Sequence, residues 1–324
     1  MKYKNVVVAG GGVLGSQIAF QCAYCGFNVT VLVLDEEGKK VLNKKIEDLR
    51  KVYIKTIKEM NTKAGRAPGV WARGIADIKH NNLNKCLNRV KSAVVNTEMD
   101  QAKALADADL VIESITEIFD VKKSFYEQIA PLLPEKTVIV TNSSTLLPSK
   151  LAKFTGRPNK YLAMHFANSI WKNNIAEIMK HSETDIKYFN EIIKFAEAIN
   201  MVPLAAKEEK AGYLLNSLLV PFLLCAMDMY ANGISDPETI DKAWTLGTGA
   251  PKGPFQILDT VGLETAKNIV LQYQKVPNLL DPLFKKMMLP YNFDGMLTLL
   301  NMYIDKGLMG KASGEGFYKY DKKK

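Results

Sequence analysis

Asn5-Val6-Val7-Val8-Ala9-Gly10-Gly11-Gly12-Val13-Leu14-Gly15 is a strand-forming run that passes without a break into glycines spaced G-x-G-x-x-G. A helical pattern follows at once, with Ile18, Ala19, Cys22 and Ala23 on one face. The chemistry of a bound pyrophosphate explains each glycine: Gly10 permits a tight turn, Gly12 lets backbone amides approach the phosphates, and Gly15 lets helix and strand pack closely. Glycine spacing alone is a weak signal. A strand before it and a helix after it make it a dinucleotide-binding fingerprint, with Val13 and Leu14 completing the turn.

The second strand of such a unit ends in an acid that bonds the ribose 2′-hydroxyl, and Asp35 lies 23 residues beyond Gly12, close to that spacing. From spacing alone, Asp35 serves equally well as a turn residue in Asp35-Glu36-Glu37-Gly38. No arginine follows at once to hold a 2′-phosphate, which favours NAD over NADP.

Farther along, residues 5–9, 29–34, 109–114, 137–141 and 161–165 are short strand-like runs, and helical patterns separate them. Such alternation predicts a doubly wound, mostly parallel Rossmann-type sheet with helices on both faces. After about Met201 the pattern turns helical throughout. Residues 211–230 are apolar on nearly every face, with Pro221 expected to kink the helix. The α/β chain is therefore divided into a dinucleotide-binding domain over residues 1–205 and an all-helical substrate and dimerisation domain over residues 206–324. A chain of 324 residues agrees with two domains. The apolar helix exceeds what one small domain must cover, which implies a homodimer.

No charged leader with a cleavage site and no long uncharged apolar run occurs, so a cytoplasmic protein without a membrane span is expected. Four sparse cysteines imply free thiols, and Cys22-x-x-Cys25, inside the proposed helix and without a second pair, reads as packing, so no metal is expected. The net charge of +9 is concentrated: residues 38–66 hold ten Lys or Arg against three acids. Leu42, Ile46, Leu49, Tyr53, Ile57 and Met60 recur there every three or four positions, predicting an amphipathic helix with a basic outer face. That face is either simply solvated or a surface for a phosphorylated ligand. Nucleic acid is disfavoured, because no recognition motif accompanies the charge.

Of three histidines, His80, His165 and His181, only His165 ends a predicted parallel strand, where open α/β sheets place their ligand crevices. Removing hydride from a carbinol carbon requires that the hydroxyl proton leave too, and imidazole suits that task near neutrality. Glu177, in apolar Ile175-Ala176-Glu177-Ile178, is the candidate anionic partner. On these facts alone, a satisfied core histidine is an equal reading.

Asn142-Ser143-Ser144-Thr145-Leu146, His165-Phe166-Ala167-Asn168, Glu177, Gly212-Tyr213-Leu214-Leu215-Asn216, Gly253-Pro254-Phe255 and Gly314-Glu315-Gly316-Phe317-Tyr318 appear in order. Together they resemble the L-3-hydroxyacyl-CoA dehydrogenase family, including its 3-hydroxybutyryl-CoA enzymes, over essentially the whole chain. The resemblance implies NAD-linked interconversion of a short-chain (S)-3-hydroxyacyl-CoA and its 3-oxo form. It makes His165 the base, Glu177 its partner, Ser144 the donor to the substrate oxygen, and Asn216 a pocket residue from the helical domain. It also implies Glu117, Lys122, Asn142 and Asn168 near the nicotinamide half of the cofactor. Taken alone, Ser144 is a turn cap, Asn216 a buried amide, Glu117 a helix-start acid and Lys122 a surface lysine. The basic helix falls where the family carries a segment that touches coenzyme A.

Four departures stand out. Val33 occupies the place of the ribose-binding acid, with Asp35 two residues on. Where the family reads Phe-Phe-Asn-Pro and a second proline, this chain reads Phe166-Ala167-Asn168-Ser169-Ile170-Trp171. Ser217 replaces an arginine, and Ala312 a late basic residue, with Lys311 beside it. Two alternatives follow: a dehydrogenase of a free hydroxy acid, similar to L-gulonate or carnitine dehydrogenases, and a catalytically idle dinucleotide-binding homologue.

Overall fold

The computed structural model describes residues 3–62, 71–76, 82–274 and 291–320. They form two compact units, Met1–Leu214 and Leu215–Lys324. The first alternates strands and helices: β1 (Asn5–Ala9), α1 (Val13–Tyr24), β2 (Asn28–Leu32), α2 (Glu36–Met60), α3 (Leu83–Ser92), β3 (Val95–Glu98), α4 (Gln101–Leu105) and β4 (Leu110–Glu113). It continues with α5 (Phe119–Ile129), β5 (Val138–Thr141), α6 (Pro148–Leu151), β6 (Tyr161–Phe166), β7 (Ile175–Met179), α7 (Ile186–Ala198) and β8 (Val202–Ala206).

The strands form one sheet in the order β3-β2-β1-β4-β5-β6-β7-β8. Pairing is parallel throughout except between β6 and β7, which run antiparallel. The first six strands have the doubly wound order, whose direction reverses between β1 and β4; a crevice opens at the carboxyl ends of strands at such a switch point. Both faces are covered. Val6 and Val8 of β1 enter one apolar cluster while Val7 enters the other. A strand buried on both sides reads as an uninterrupted apolar run, which is why β1, β2, β4 and β5 are visible in the sequence.

Three strands escape the sequence pattern. β3 is a half-buried edge strand, Val-Asn-Thr-Glu. β8 forms the other edge and contains Pro203, a residue that sheets tolerate at an edge. β7 carries Glu177 at a buried position.

The basic helix is α2, and the six apolar residues predicted on its inner face are all buried. Lys40, Lys44, Lys51, Lys55 and Lys58 line its exposed side. The two basic residues of the same charged run at 63 and 66, like His80 and the terminal lysines, lie outside the described residues. Cys22 is fully buried in the core; burial pushes its thiol pKa up, and that of Cys25 to about 12.

The second unit consists, among the described residues, of α8 (Leu215–Ala231), α9 (Pro237–Thr248), α10 (Pro254–Val261), α11 (Leu263–Gln274) and α12 (Phe293–Ile304), with a short C-terminal turn region. Leu223, Leu224, Met227, Phe255, Leu258, Val270 and Met296 form its core, and Pro221 lies inside α8. Two buried aspartates organise the rest. Asp241 accepts the amides of Phe255 and Gln256 and the Tyr318 hydroxyl; Asp259 accepts the amides of Phe317 and Tyr318 and the Tyr320 hydroxyl. A Cβ on Gly253 would lie 2.3 Å from Asp241 Cγ, and one on Gly316 2.1 Å from Asp259 Oδ1. The two glycine-bearing motifs of this unit are thus seats for buried carboxylates. No helix among the described residues is long and apolar enough to cross a membrane.

Candidate active site

The glycine turn joins β1 to α1. Gly10 adopts φ +103°, a left-handed conformation that L side chains avoid, and a Cβ there would meet the Ser114 carbonyl at 2.6 Å. A Cβ on Gly15 would lie 2.1 Å from the Gly10 carbonyl oxygen, so helix and turn touch only because Gly15 has no side chain. Gly12 differs: its Cβ would meet nothing within 4 Å. It caps α1 without a side-chain hydrogen bond, and Val13 and Leu14 open the helix with no acid in its first turn. Uncapped amides at the positive end of a helix, facing open space, fit a pyrophosphate. These residues therefore fit a bound dinucleotide.

At the end of β2, Val33 is buried and Asp35 is exposed. Asp35 Oδ1 accepts the Gly38 amide at 2.7 Å and caps α2. The turn-residue reading is thus realised, with the second carboxylate oxygen left over for other contacts. Lys45 reaches back from α2 to donate to the Gly11 carbonyl at 3.0 Å.

The ends of β4, β5 and β6 are cross-linked by side chains. Glu113, fully buried at the end of β4, accepts Lys122 Nζ at 2.5 Å, the Tyr126 hydroxyl at 2.8 Å and the Thr141 hydroxyl at 2.7 Å. Lys122 also pairs with Glu117 at 3.2 Å. It is 1% exposed, so the surface-lysine reading fails: its charge is buried between two carboxylates that offset it. Glu117 in turn accepts the Ser143 hydroxyl at 2.5 Å, the Ser144 amide at 3.0 Å, and the amide and hydroxyl of Thr145, both at 2.9 Å. Burial alone would raise its pKa, but these donors and the Lys122 charge bring it down to about 2. Asn142 spans two strands, accepting the Phe166 amide at 3.0 Å and donating to Ser114 Oγ at 3.3 Å.

His165 and Glu177 lie directly opposite one another in the antiparallel pairing of β6 with β7. His165 Nδ1 lies 2.9 Å from Glu177 Oε2, both residues are buried, and Glu177 Oε1 accepts the Leu214 amide at 2.9 Å. A carboxylate only accepts hydrogen bonds, so Nδ1 carries the hydrogen and Nε2 keeps a lone pair for an incoming proton. His181, by contrast, is structural: its Nε2 lies 3.1 Å from the Pro158 carbonyl, and Nδ1 accepts the Glu183 amide.

Beyond β6 the departure from the proline-rich segment has a visible replacement. Gln17 of α1 donates to Asn168 Oδ1 at 2.8 Å and accepts the amides of Ser169 and Ile170. Ser169 adopts φ +60°, and Trp171 packs against Tyr53. A side-chain amide from α1 thus fixes this segment. Asn216, the second residue of α8, is half-buried in the helical unit.

Glu113, Gln17 and Tyr213, whose ring stacks on His165, do not announce themselves in sequence. Only Gly212, flagging a turn before Tyr213, carried a usable signal.

Residues 5–209 match the family described as 3-hydroxyacyl-CoA dehydrogenase, NAD binding domain, and residues 212–320 match its C-terminal domain. The human mitochondrial hydroxyacyl-coenzyme A dehydrogenase is 32% identical over 98% of this chain and 91% of its own length. The 3-hydroxybutyryl-CoA dehydrogenase of Clostridioides difficile is 27% identical over 98% and 100%. A solved structure of a diketoreductase, reported to act on dicarbonyl compounds with substrate-directed dual catalysis, is 43% identical. It covers 99% of this chain and 100% of its own, with a TM-score of 0.80.

Proposed function

The chain belongs to the 3-hydroxyacyl-CoA dehydrogenase family, and from that premise we propose that it interconverts a short-chain (S)-3-hydroxyacyl thioester and its 3-oxo form, with His165 and Glu177 as the proton-handling pair. NAD, bound at the glycine turn, supplies the hydride acceptor. The observation that carries the reading is the 2.9 Å contact between His165 Nδ1 and Glu177 Oε2. With Nδ1–H committed to the carboxylate, His165 takes the hydroxyl proton on Nε2 as the carbinol C–H leaves as hydride and the C=O forms. Glu177 holds the tautomer and offsets the imidazolium charge. The Leu214 amide keeps Glu177 in place. Ser144, on a loop held by Glu117, is assigned as donor to the substrate oxygen, and in reduction each step runs in reverse.

The remaining site assignments belong to the same reading. Gly10, Gly12, Gly15, Val13 and Leu14 receive the pyrophosphate, and Asp35 contributes its remaining oxygen to the ribose. Glu117, Lys122, Asn142 and Asn168 shape the nicotinamide side, Lys122 through Glu117 rather than by direct reach. The helical unit is proposed to mediate a homodimer, because Leu218, Ile234 and Leu246 are 76%, 71% and 84% exposed in one chain. A monomer in sedimentation at micromolar concentration would contradict this.

The likeness to the diketoreductase favours a second reading for the substrate, in which the same residues reduce a dicarbonyl compound that carries no coenzyme A. The rebuilt segment at residues 167–171 lies next to His165 in sequence and is where such a difference would be expressed. One experiment addresses both. NADH consumption is followed with acetoacetyl-CoA beside free dicarbonyl compounds and 3-oxo acids, in the wild type and in His165→Gln. Turnover confined to the free compounds selects the second reading. A general base contributes roughly 10²–10⁴-fold, so a loss of that order is expected in His165→Gln, and unchanged turnover refutes the assigned base.

A further inference from the structure

Gly212 and Tyr213 are consecutive residues with positive φ, +81° and +52°. For glycine this is ordinary, but for tyrosine it is an uncommon conformation that surrounding contacts must hold in place. Three contacts do so. The Tyr213 ring stacks on the His165 imidazole with centroids 4.7 Å apart and planes 20° from parallel. Its hydroxyl donates to the Ser143 carbonyl at 2.8 Å. The next amide, Leu214 N, donates to Glu177 Oε1 at 2.9 Å. One short segment therefore touches the histidine, its carboxylate partner and the loop that carries Ser144.

We propose that Tyr213 is a positioning residue that fixes the plane of the His165 imidazole and locks it in register with the Ser143-Ser144 loop. The inference rests on the assignment of His165 and Glu177 as the proton-handling pair. The Cβ–Cγ bond and the hydrogen bond at Nδ1 hold two points of the ring and leave it free to tilt about the line between them. A nearly parallel aromatic face removes the remaining freedom, so the Nε2 lone pair keeps one direction. Proton transfer depends steeply on that direction, because hydrogen bonds weaken as they bend and misplacement of a reacting group lowers turnover. The ring also presents its electron-rich face to the imidazolium formed by proton uptake. Burial, reinforced by Glu117 and Glu177, pushes the phenol pKa well above its usual value, so Tyr213 remains a donor to Ser143 and takes no proton itself.

The test compares Tyr213→Phe, Tyr213→Leu and His165→Gln. Turnover is measured with NADH and acetoacetyl-CoA, or with the free dicarbonyl that the substrate panel selects, beside NADH affinity by fluorescence. Phe keeps the stacked face and loses only the hydroxyl's hold on the Ser143 carbonyl, so kcat is expected to fall by about threefold, whereas Leu fills the space without a planar face and lowers kcat roughly 30-fold, with KM and NADH affinity nearly unchanged. In wild-type protein labelled at histidine, the His165 C–H protons are expected upfield of those of free imidazole, as a stacked ring requires, with His165→Gln assigning the resonance. Retained kcat in Tyr213→Leu while His165→Gln is inactive overturns the inference and leaves the acid/base reading standing. An active His165→Gln overturns that reading instead. Parallel losses of KM, NADH affinity and melting temperature in Tyr213→Leu reduce Tyr213 to a packing residue and also overturn the inference. If Tyr213→Leu fails to fold, the wild-type shift decides: without it the stack, and the inference, are gone.

Discussion

The glycine turn and the His165–Glu177 pair occupy the same unit yet are built on opposite principles. The turn is made of backbone within six consecutive residues, and its function is the absence of side chains: φ +103° at Gly10, a 2.1 Å approach at Gly15, open space at Gly12. The pair is made of side chains twelve residues apart that meet because β6 and β7 pair in one register. The ring of Tyr213, from another segment, then stacks on the histidine. A backbone site is damaged by adding atoms. A side-chain site is damaged by removing or reorienting them.

The largest effect that sharpens this contrast is expected from Gly15→Ala. The added Cβ meets a carbonyl oxygen, not a flexible side chain, so the turn itself must shift; overpacking of this kind costs about 1–3 kcal/mol of stability, and NADH affinity falls with it. Urea unfolding and fluorescence titration read the two effects. Gly12→Ala comes next, and it separates them. With nothing within 4 Å and an ordinary φ of −62°, the methyl group leaves stability unchanged but occupies the space a pyrophosphate needs. A loss of about 1–2 kcal/mol in binding, roughly tenfold in Kd, is expected without a change in melting temperature. If Gly12→Ala binds NADH as wild type does, the assignment of that space to the pyrophosphate fails.

The smallest effect belongs to the side-chain half. Glu117 has its pKa lowered from the ordinary 4.5 to about 2, despite burial, by its donors and Lys122. A carboxylate depressed in the folded state contributes stability that is fully present above about 4.5 and disappears as pH falls through about 2. Glu117→Gln should therefore be less stable than wild type near neutrality, and the gap should close as the medium is acidified through that window. A gap that stays constant down to pH 2 would show that the charge of Glu117 is not what holds residues 143–145.

The same contrast explains what was legible in the sequence. The glycine turn, the apolar strands and the inner face of α2 are encoded by neighbours at fixed spacing, and each of these is realised in the structure. β7 and β8 were missed because a strand of five residues holding an acid or a proline has no local signature once it pairs at the margin of a sheet. Lys122 reads as a solvated residue because nothing nearby reveals that Glu113 and Glu117 will close around it. Tyr213 was visible only as part of a motif whose ring could have faced anywhere. Partners brought together by tertiary structure leave their trace in residue identity, not in spacing.

The antiparallel register that sets His165 opposite Glu177 belongs to two strands buried along nearly their whole length, and a shift by one residue would turn the glutamate to the other face. The connection between these strands is braced from α1, through the Gln17 side chain. A laboratory effort to redirect the proposed substrate range has a natural point of entry at residues 169–174, beyond Asn168, where loop grafts should alter what is accepted without dismantling how it is transformed.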